Sequence, residues 1–445
     1  AINLAAGFDN ACLFEELESL AYRDRLTGLP NRLAFEREVL KQIAEHGAVS
    51  VAIADIDGFQ AVNDGLGHDV GDQTLIAIAG LLQDVFGNET FIARNSGDNF
   101  AVLLPHLSET EIRRLLDALR DRAASNVQIE GSEIPLSISV GVAQFPRHGS
   151  SAAKLFQNAG IALKQAKRVS RSSYEFFDER LVGSLKSRLE IMRDLRYAVE
   201  RDSLRLLYQP QINLRTGKIF GAEALVRWQR DAHGFVPAQE FIPAAEDSGH
   251  IVAIGEWVLR EACRQHVRWR LEVGLDIQIA VNVSMRQLKD AGFIRMLERA
   301  IQDTGIDPSR LEVEITESLM VENAGALVDL LERVRSLGVT VAIDDFGTGY
   351  SSLSSLQKLP IDRLKIDRSF ITGLAERKED QIIAAMIVNM GHLLGLQVIA
   401  EGVEVLEQAS LLVTMGCDDV QGYFYGRPMP ANALLEQALK GHWRL

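Results

Sequence analysis

Five short apolar runs in the second half of the chain stop on an acidic or amide side chain. The run ending at Val281 meets Asn282, 311–313 meets Glu314, 339–343 meets Asp344 and Asp345, 364–366 meets Asp367, and 398–400 meets Glu401. A single carboxylate after a strand commonly caps the helix that follows. Five in succession point instead to side chains that converge, with one or two of them still acting as caps. Carboxylates joined by one asparagine offer hard oxygen donors, the ligand chemistry of Mg²⁺ or Mn²⁺ and not the His and Cys set expected for zinc. If Asp344 bridges two ions and Asp345 reaches one of them, the pair holds cations about 3.5–4 Å apart, the spacing of two-metal phosphodiester hydrolysis. Lys365 points toward the same mouth, where an amine orients or deprotonates an attacking water. A surface salt bridge is the plainer reading of that lysine, and periodicity alone favours it.

Such a convergence needs a scaffold that brings strand ends together. Repeated strand-helix units of this size suggest a closed (β/α) barrel, whose functional side chains gather at the C-terminal ends of its strands. Ahead of it, runs at 49–53 (closed by Asp55), 100–104 and 137–142 read as strands. Helical stretches at 73–86, 109–123 and 152–167 separate them, so the first part is a mixed α/β domain. From 176 to 187 strand character gives way to charge, and 188–200 reads as a connecting helix. Phe14, Leu17, Leu20 and Ala21 have the spacing of an amphipathic helix leading into the first domain. The expected order is a signalling helix at 1–21, a first domain at 22–178, a linker helix at 179–200 and the barrel domain at 201–445.

The composition allows two packed cores: 445 residues, 47% hydrophobic and 24% charged. A net charge of −14 argues against a nucleic-acid backbone as the main partner. An anionic phosphate ligand in so acidic a chain requires cations between carboxylate and phosphate. Cys12, Cys263 and Cys417 lie far apart without a C-x-x-C pair, which fits a reducing cytoplasm. The most apolar stretch, 382–400, is broken by Asn389, His392 and Gln397 and reads as helix, turn and strand, not a membrane span. The first twenty residues lack a basic region and an initiator Met, as in a trimmed fragment without a signal peptide. The expectation is a cytoplasmic protein, or the cytoplasmic part of a larger membrane-attached one, preceded by a sensor domain.

The second half resembles the EAL family through an ordered set of motifs. These are Tyr208-Gln209-Pro210, Glu223-Ala224-Leu225-Val226-Arg227-Trp228, Asn282-Val283-Ser284, Glu314-Ile315-Thr316-Glu317, the stretch from Ile343-Asp344-Asp345-Phe346-Gly347 through Ser352, Leu364-Lys365-Ile366-Asp367, Ala400-Glu401-Gly402-Val403-Glu404 and Gln421-Gly422-Tyr423. The resemblance spans about residues 190 to 440. It implies a modified TIM barrel that linearises the bacterial second messenger cyclic di-GMP to pGpG with two Mg²⁺ or Mn²⁺ ions. It further implies Glu223, Asn282, Glu314, Asp344, Asp345 and Glu401 as metal ligands, and Lys365 as the residue assisting the nucleophilic water. Gln209, Arg227, Asp367 and Gln421 are implied to line the substrate or support the site. Glu317 matches the glutamate that anchors the loop from Asp345 to Ser352, which in relatives couples dimerisation to metal occupancy, so a homodimer is expected. The catalytic positions show no departure, which favours an enzyme over a non-catalytic cyclic di-GMP receptor.

The first half resembles a GGDEF diguanylate cyclase domain through Asp24-Arg25-Leu26-Thr27-Gly28-Leu29-Pro30-Asn31-Arg32, Asp55-Ile56-Asp57-Gly58-Phe59, Asn63-Asp64 and Gly67-His68-Asp69-Val70-Gly71-Asp72. Its signature hairpin reads Ser96-Gly97-Asp98-Asn99-Phe100, with serine for the first glycine and asparagine for the acidic fourth position. Asparagine cannot supply the charge that glutamate brings to the reaction centre, and Gln60 stands where a phosphate-binding lysine is usual. Gly87 and Thr90 occupy the key positions of the family's inhibitory site, which argues against product feedback there. Asp55 and Asp98 remain as metal ligands, and Asn63 and Asp72 as the guanine-reading pair. Two readings carry equal weight: a domain that binds GTP without condensing it and regulates the barrel, or a scaffold that only transmits signals. A bifunctional cyclase and hydrolase is the third alternative, opposed by Asn99.

Overall fold

The computed structural model describes residues 21–87, 90–124, 127–129, 132–134, 136–169, 172–230, 234–317, 324–348 and 356–440. The expected signalling helix lies outside them. The chain divides into two units, Ala1–Ser187 and Arg188–Leu445. The division falls inside one helix, Glu179–Leu195, where the sequence reading expected a charged break followed by a helix at 188.

The first unit is built on β1 (Val49–Ile56), β2 (Phe91–Ser96), β3 (Asn99–Pro105), β6 (Ile138–Phe145) and β7 (Tyr174–Phe176), with β4 (Val127–Ile129) and β5 (Ser132–Ile134) as a separate hairpin. The sheet order is β2-β3-β1-β6-β7, antiparallel except for β6–β7. Every residue of β1 is buried. The pleat sends Ala52, Ala54 and Ile56 into one core and Val49, Val51 and Ile53 into another, so helices must cover both faces.

The second unit closes a barrel in the order β9-β11-β12-β13-β14-β15-β16-β8, with β8 also paired to β9. Its strands are β8 (Leu204–Asn213), β9 (Lys218–Arg230), β11 (Gln278–Asn282), β12 (Leu311–Thr316), β13 (Thr340–Phe346), β14 (Arg363–Ile366), β15 (Gln397–Ala400) and β16 (Asp419–Gln421), and the short β10 (Gly234–Val236) pairs antiparallel with the end of β9 outside this ring. Parallel pairing runs from β9 through β16. β8 alone is reversed, antiparallel to both neighbours. The departure from a regular (β/α)8 array is local in origin, because the chain passes from β8 to β9 through a tight turn, which is too short for a parallel crossover. The stretch 382–400 is the end of helix Lys378–Leu393, a turn and β15. No helix among the described residues is long and apolar enough to cross a membrane.

Candidate functional site

Lys365 on β14 is fully buried, while Leu364 and Ile366 beside it join the apolar core. The plainer reading of a surface lysine is therefore corrected: strand alternation turns this side chain away from the layer its neighbours enter. Its ammonium lies 2.8 Å from Glu314 Oε2 on β12, 3.1 Å from Asp344 Oδ1 on β13 and 2.7 Å from Glu401 Oε1 after β15. Burial by itself would lower the lysine pKa, but Asp344, Glu223, Glu314 and Glu401 together carry it well above the ordinary value. Burial likewise raises Glu314 well above the carboxylate range and pushes Glu401 up to about 8, with Lys365 opposing in both cases.

Glu223 on β9 completes this cluster from the other side of the barrel. It accepts from Asn282 Nδ2 and Gln421 Nε2, each at 2.5 Å. Gln421 Nε2 also donates to Gln209 Oε1 at 3.1 Å, and Gln421 Oε1 accepts from Gln211 Nε2 at 3.1 Å. Gln211 was passed over in the sequence reading, although it alternates with Gln209 along β8 and so shares its face. A Cβ on Gly221 would meet Gln211 Oε1 at 2.6 Å, so this relay requires glycine opposite it.

Asp344 Oδ1 accepts the Asp345 backbone N–H at 2.9 Å. Asp345 has φ 55°, unusual for a non-glycine residue, where the β13–β14 register shifts between Ile343 and Phe346. Desolvation first, then Asp344 and Asp367, push its carboxyl up to about 6. Oxygens of Asp344, Asp345 and Glu401 all lie within 4.8 Å of one another. Glu314 Oε1 is buried with no hydrogen-bond partner among the described residues. An all-oxygen donor set with an unsatisfied buried carboxylate oxygen fits a hard divalent cation.

Glu317 Oε2 accepts the N–H of Gly347 at 2.8 Å. Gly347 has φ 101°, and a Cβ there would meet the Phe370 ring at 2.7 Å, so glycine is required where the loop begins. Residues 349–352 of that loop lie outside the described residues. Asp367 caps helix Arg368–Thr372 through the Ser369 N–H at 3.0 Å, so among the strand-end acids it is the one that serves as a cap. Arg227 is half-buried beside a hollow of about 290 Å³ lined by Leu225, Ile242, Ile254 and Val283, with Asn282 and Thr316 on its wall. Part of its lining falls in the quoted motifs, while Ile242 and Ile254 were not singled out in the sequence.

In the first unit Asp55, next to last in β1, pairs with Asn99, and desolvation raises its pKa despite an ion pair to Lys167. Asp98 is close enough to act on Asp55 electrostatically. Asn63 lies against Gly71, the residue before Asp72, so tightly that a Cβ there would overlap its amide. Lys167 and Asp57 were not singled out for roles in the sequence. Asp57 is satisfied by Ser137 Oγ at 3.0 Å, Ser139 Oγ at 2.8 Å and the Ser172 N–H at 3.0 Å, a structural tie between β1 and β6.

Comparison with known proteins gives two domain matches: an EAL domain over residues 192–428 and a diguanylate cyclase, GGDEF domain, over residues 21–173. The chain is 40% identical over 424 residues to the bifunctional diguanylate cyclase/cyclic di-GMP phosphodiesterase MucR of Pseudomonas aeruginosa, covering 94% of this chain and 62% of MucR. It is 38% identical to the cyclic di-GMP phosphodiesterase NbdA of the same organism, covering 94% of this chain and 54% of NbdA. The chain thus spans about half to two thirds of the length of these curated relatives. Among solved structures, the PaMucR phosphodiesterase in complex with c-di-GMP is 45% identical with a TM-score of 0.53, over 55% of this chain and 99% of that one. The Vibrio cholerae LapD S helix-GGDEF-EAL structure shares the fold over 93% of this chain and 98% of its own, at 22% identity and a TM-score of 0.66.

Proposed function

Because the chain belongs to the EAL domain family and carries a GGDEF domain ahead of its barrel, we propose that the barrel hydrolyses cyclic di-GMP to linear pGpG. The observation that carries this reading is the buried Lys365 ammonium held among Glu314, Asp344 and Glu401 beside Glu223 and Asn282. Glu223, Asn282, Glu314, Asp344, Asp345 and Glu401 would hold two divalent ions, Mg²⁺ or Mn²⁺, which when bound supply Lewis-acid charge and a nucleophilic water. Lys365 orients that water and offsets negative charge on the phosphoryl group. The oxygen of water bonds to phosphorus, the P–O3′ bond breaks, one water proton ends on the 3′ oxygen and the other stays on the new 5′-phosphate or passes to solvent. Arg227 faces the phosphate, and the adjoining apolar hollow receives a purine face. Glu317 holds the start of the loop at Gly347, and Gln209 and Gln421 keep Glu223 in its orientation. Asp367 supports the site through Asp345. A homodimer is proposed on the family resemblance alone.

For the first unit we propose GTP binding through Asn63 and Asp72, with Asp55 and Asp98 toward a cation, and regulation of the barrel without condensation of GTP. Asn99 in place of a carboxylate supports this. The similarity to MucR, named bifunctional, favours a second reading in which cyclase activity persists. One assay separates them. Purified chain with cyclic di-GMP and Mg²⁺ or Mn²⁺ is expected to yield pGpG, faster or slower on adding GTP, and to stop with excess EDTA. Absence of pGpG under every condition sinks the hydrolase reading. With GTP alone, neither cyclic di-GMP nor pGpG is expected, and the appearance of either would establish the bifunctional alternative.

A further inference from the structure

The barrel interior carries a second ionic layer beneath the site. Arg363, Glu312 and Asp419 are all buried, with 4%, 1% and 2% of their surface exposed. Arg363 Nε donates to Glu312 Oε2 at 3.1 Å, its Nη1 pairs with Asp419, and its Nη2 reaches Gln397 Oε1 at 2.8 Å and Gln278 Oε1 at 3.4 Å. Its guanidinium also lies 4.7 Å from the Phe220 ring centroid. One side chain on β14 therefore ties β9, β11, β12, β15 and β16 together across the interior.

The two layers are in register. Arg363 and Lys365 are two apart on β14, Glu312 and Glu314 two apart on β12, and Asp419 and Gln421 two apart on β16. Residues two apart on a strand face the same way. Each cation on β14 thus meets a carboxylate on β12 at its own level: Arg363 with Glu312, Lys365 with Glu314. The layers also differ in kind. The fork of Arg363 is engaged on several sides, whereas an ammonium on a flexible stem keeps its place only where stronger claims on it are absent.

Resting on the phosphodiesterase reading of this barrel, we propose that Arg363 is a positioning residue for the reaction. It neutralises Glu312 and Asp419 and fixes the spacing of β12, β14 and β16, so that the Lys365 ammonium stays with Glu314, Asp344 and Glu401.

The test uses the whole chain with two variants, Arg363→Met and the double variant Glu312→Leu with Arg363→Met. The single variant leaves buried carboxylates uncompensated and is free to fail at folding. The double variant replaces the ion pair by apolar groups, a change that is often neutral or stabilising in protein interiors, while Asp419 keeps its hydrogen bond from Asn213 at 2.8 Å. In the folded double variant kcat is expected to fall roughly ten- to hundred-fold with KM little changed, the cost of a misplaced group near the chemistry. The ¹H–¹⁵N signal of the buried Lys365 ammonium, identified by its loss in Lys365→Met, is expected to shift in the cation-free protein. Wild-type kcat in the double variant, or an unmoved ammonium signal, overturns the proposal. If the unaltered chain converts no cyclic di-GMP, the phosphodiesterase reading fails, and the ammonium signal alone still decides whether Arg363 positions Lys365.

Discussion

Replacing Lys365 by methionine is expected to reduce kcat for cyclic di-GMP by about 10²–10⁴-fold, the usual worth of a positioned acid–base group. Methionine retains the volume of the stem but removes the only ammonium within bonding distance of Glu314, Asp344 and Glu401 among the described residues. Removing one partner from a buried ion pair costs about 3–5 kcal/mol, because the remaining charge keeps its desolvation penalty. The variant is therefore expected to melt well below the parent in EDTA. Mg²⁺ or Mn²⁺ is expected to restore more stability to the variant than to the parent, since ligand binding to the native state stabilises by mass action. Calorimetry with and without Mn²⁺, alongside single-turnover kinetics, reads both effects. Activity within threefold of the parent would remove Lys365 from the chemistry; a melting temperature equally insensitive to the substitution and to Mn²⁺ would contradict the electrostatic role.

Glu223→Ala is expected to behave differently, losing hydrolysis while keeping its fold. Lewis-acid stabilisation is worth several kcal/mol, and each ~1.4 kcal/mol is a factor of ten, so kcat/KM is expected to fall by about 10²–10³-fold or more. The structural cost is smaller, since Asn282 and Gln421 lose one acceptor each, and unsatisfied polar groups cost about 1–3 kcal/mol. Removing one member of a crowded carboxylate cluster offsets part of that. Isothermal titration of Mn²⁺ into the variant is the companion measurement, with weaker binding or fewer ions expected. Unchanged affinity and unchanged turnover would take Glu223 out of the metal site. Glu223→Gln separates the two contributions, because the amide keeps hydrogen bonds available to its neighbours while withdrawing the charge.

These two substitutions probe residues of unequal legibility. Glu223 stands out in the sequence only as part of an ordered motif set, since a single carboxylate between Ala222 and Ala224 in β9 carries no signal of its own. Lys365 offered still less: a lysine next to a run of aliphatics reads as a surface residue until its strand is known to be enclosed on both faces. Glu314 and Asp344, read as strand-end residues, lie within β12 and β13, which continue to Thr316 and Phe346. Asp367 was legible as a possible cap because capping is a local interaction, settled by a hydrogen bond two residues away.

Features that depend on local patterning are legible in the residues alone. The alternation of apolar runs with helical stretches specified a mixed α/β unit followed by a barrel, and the residue types at the strand ends specified hard oxygen-donor chemistry. Only the tertiary structure decided the rest: that β8 runs against its neighbours, that Gln211 joins the Glu223 relay, that Lys167 meets Asp55, and that Arg363 and Glu312 lie directly beneath Lys365 and Glu314. The physical reason is the same in each case. A strand's pleat and a helix's period are set by residues a few positions apart, whereas a buried charge is tolerated only where partners from distant strands meet it, and that meeting is a property of barrel closure.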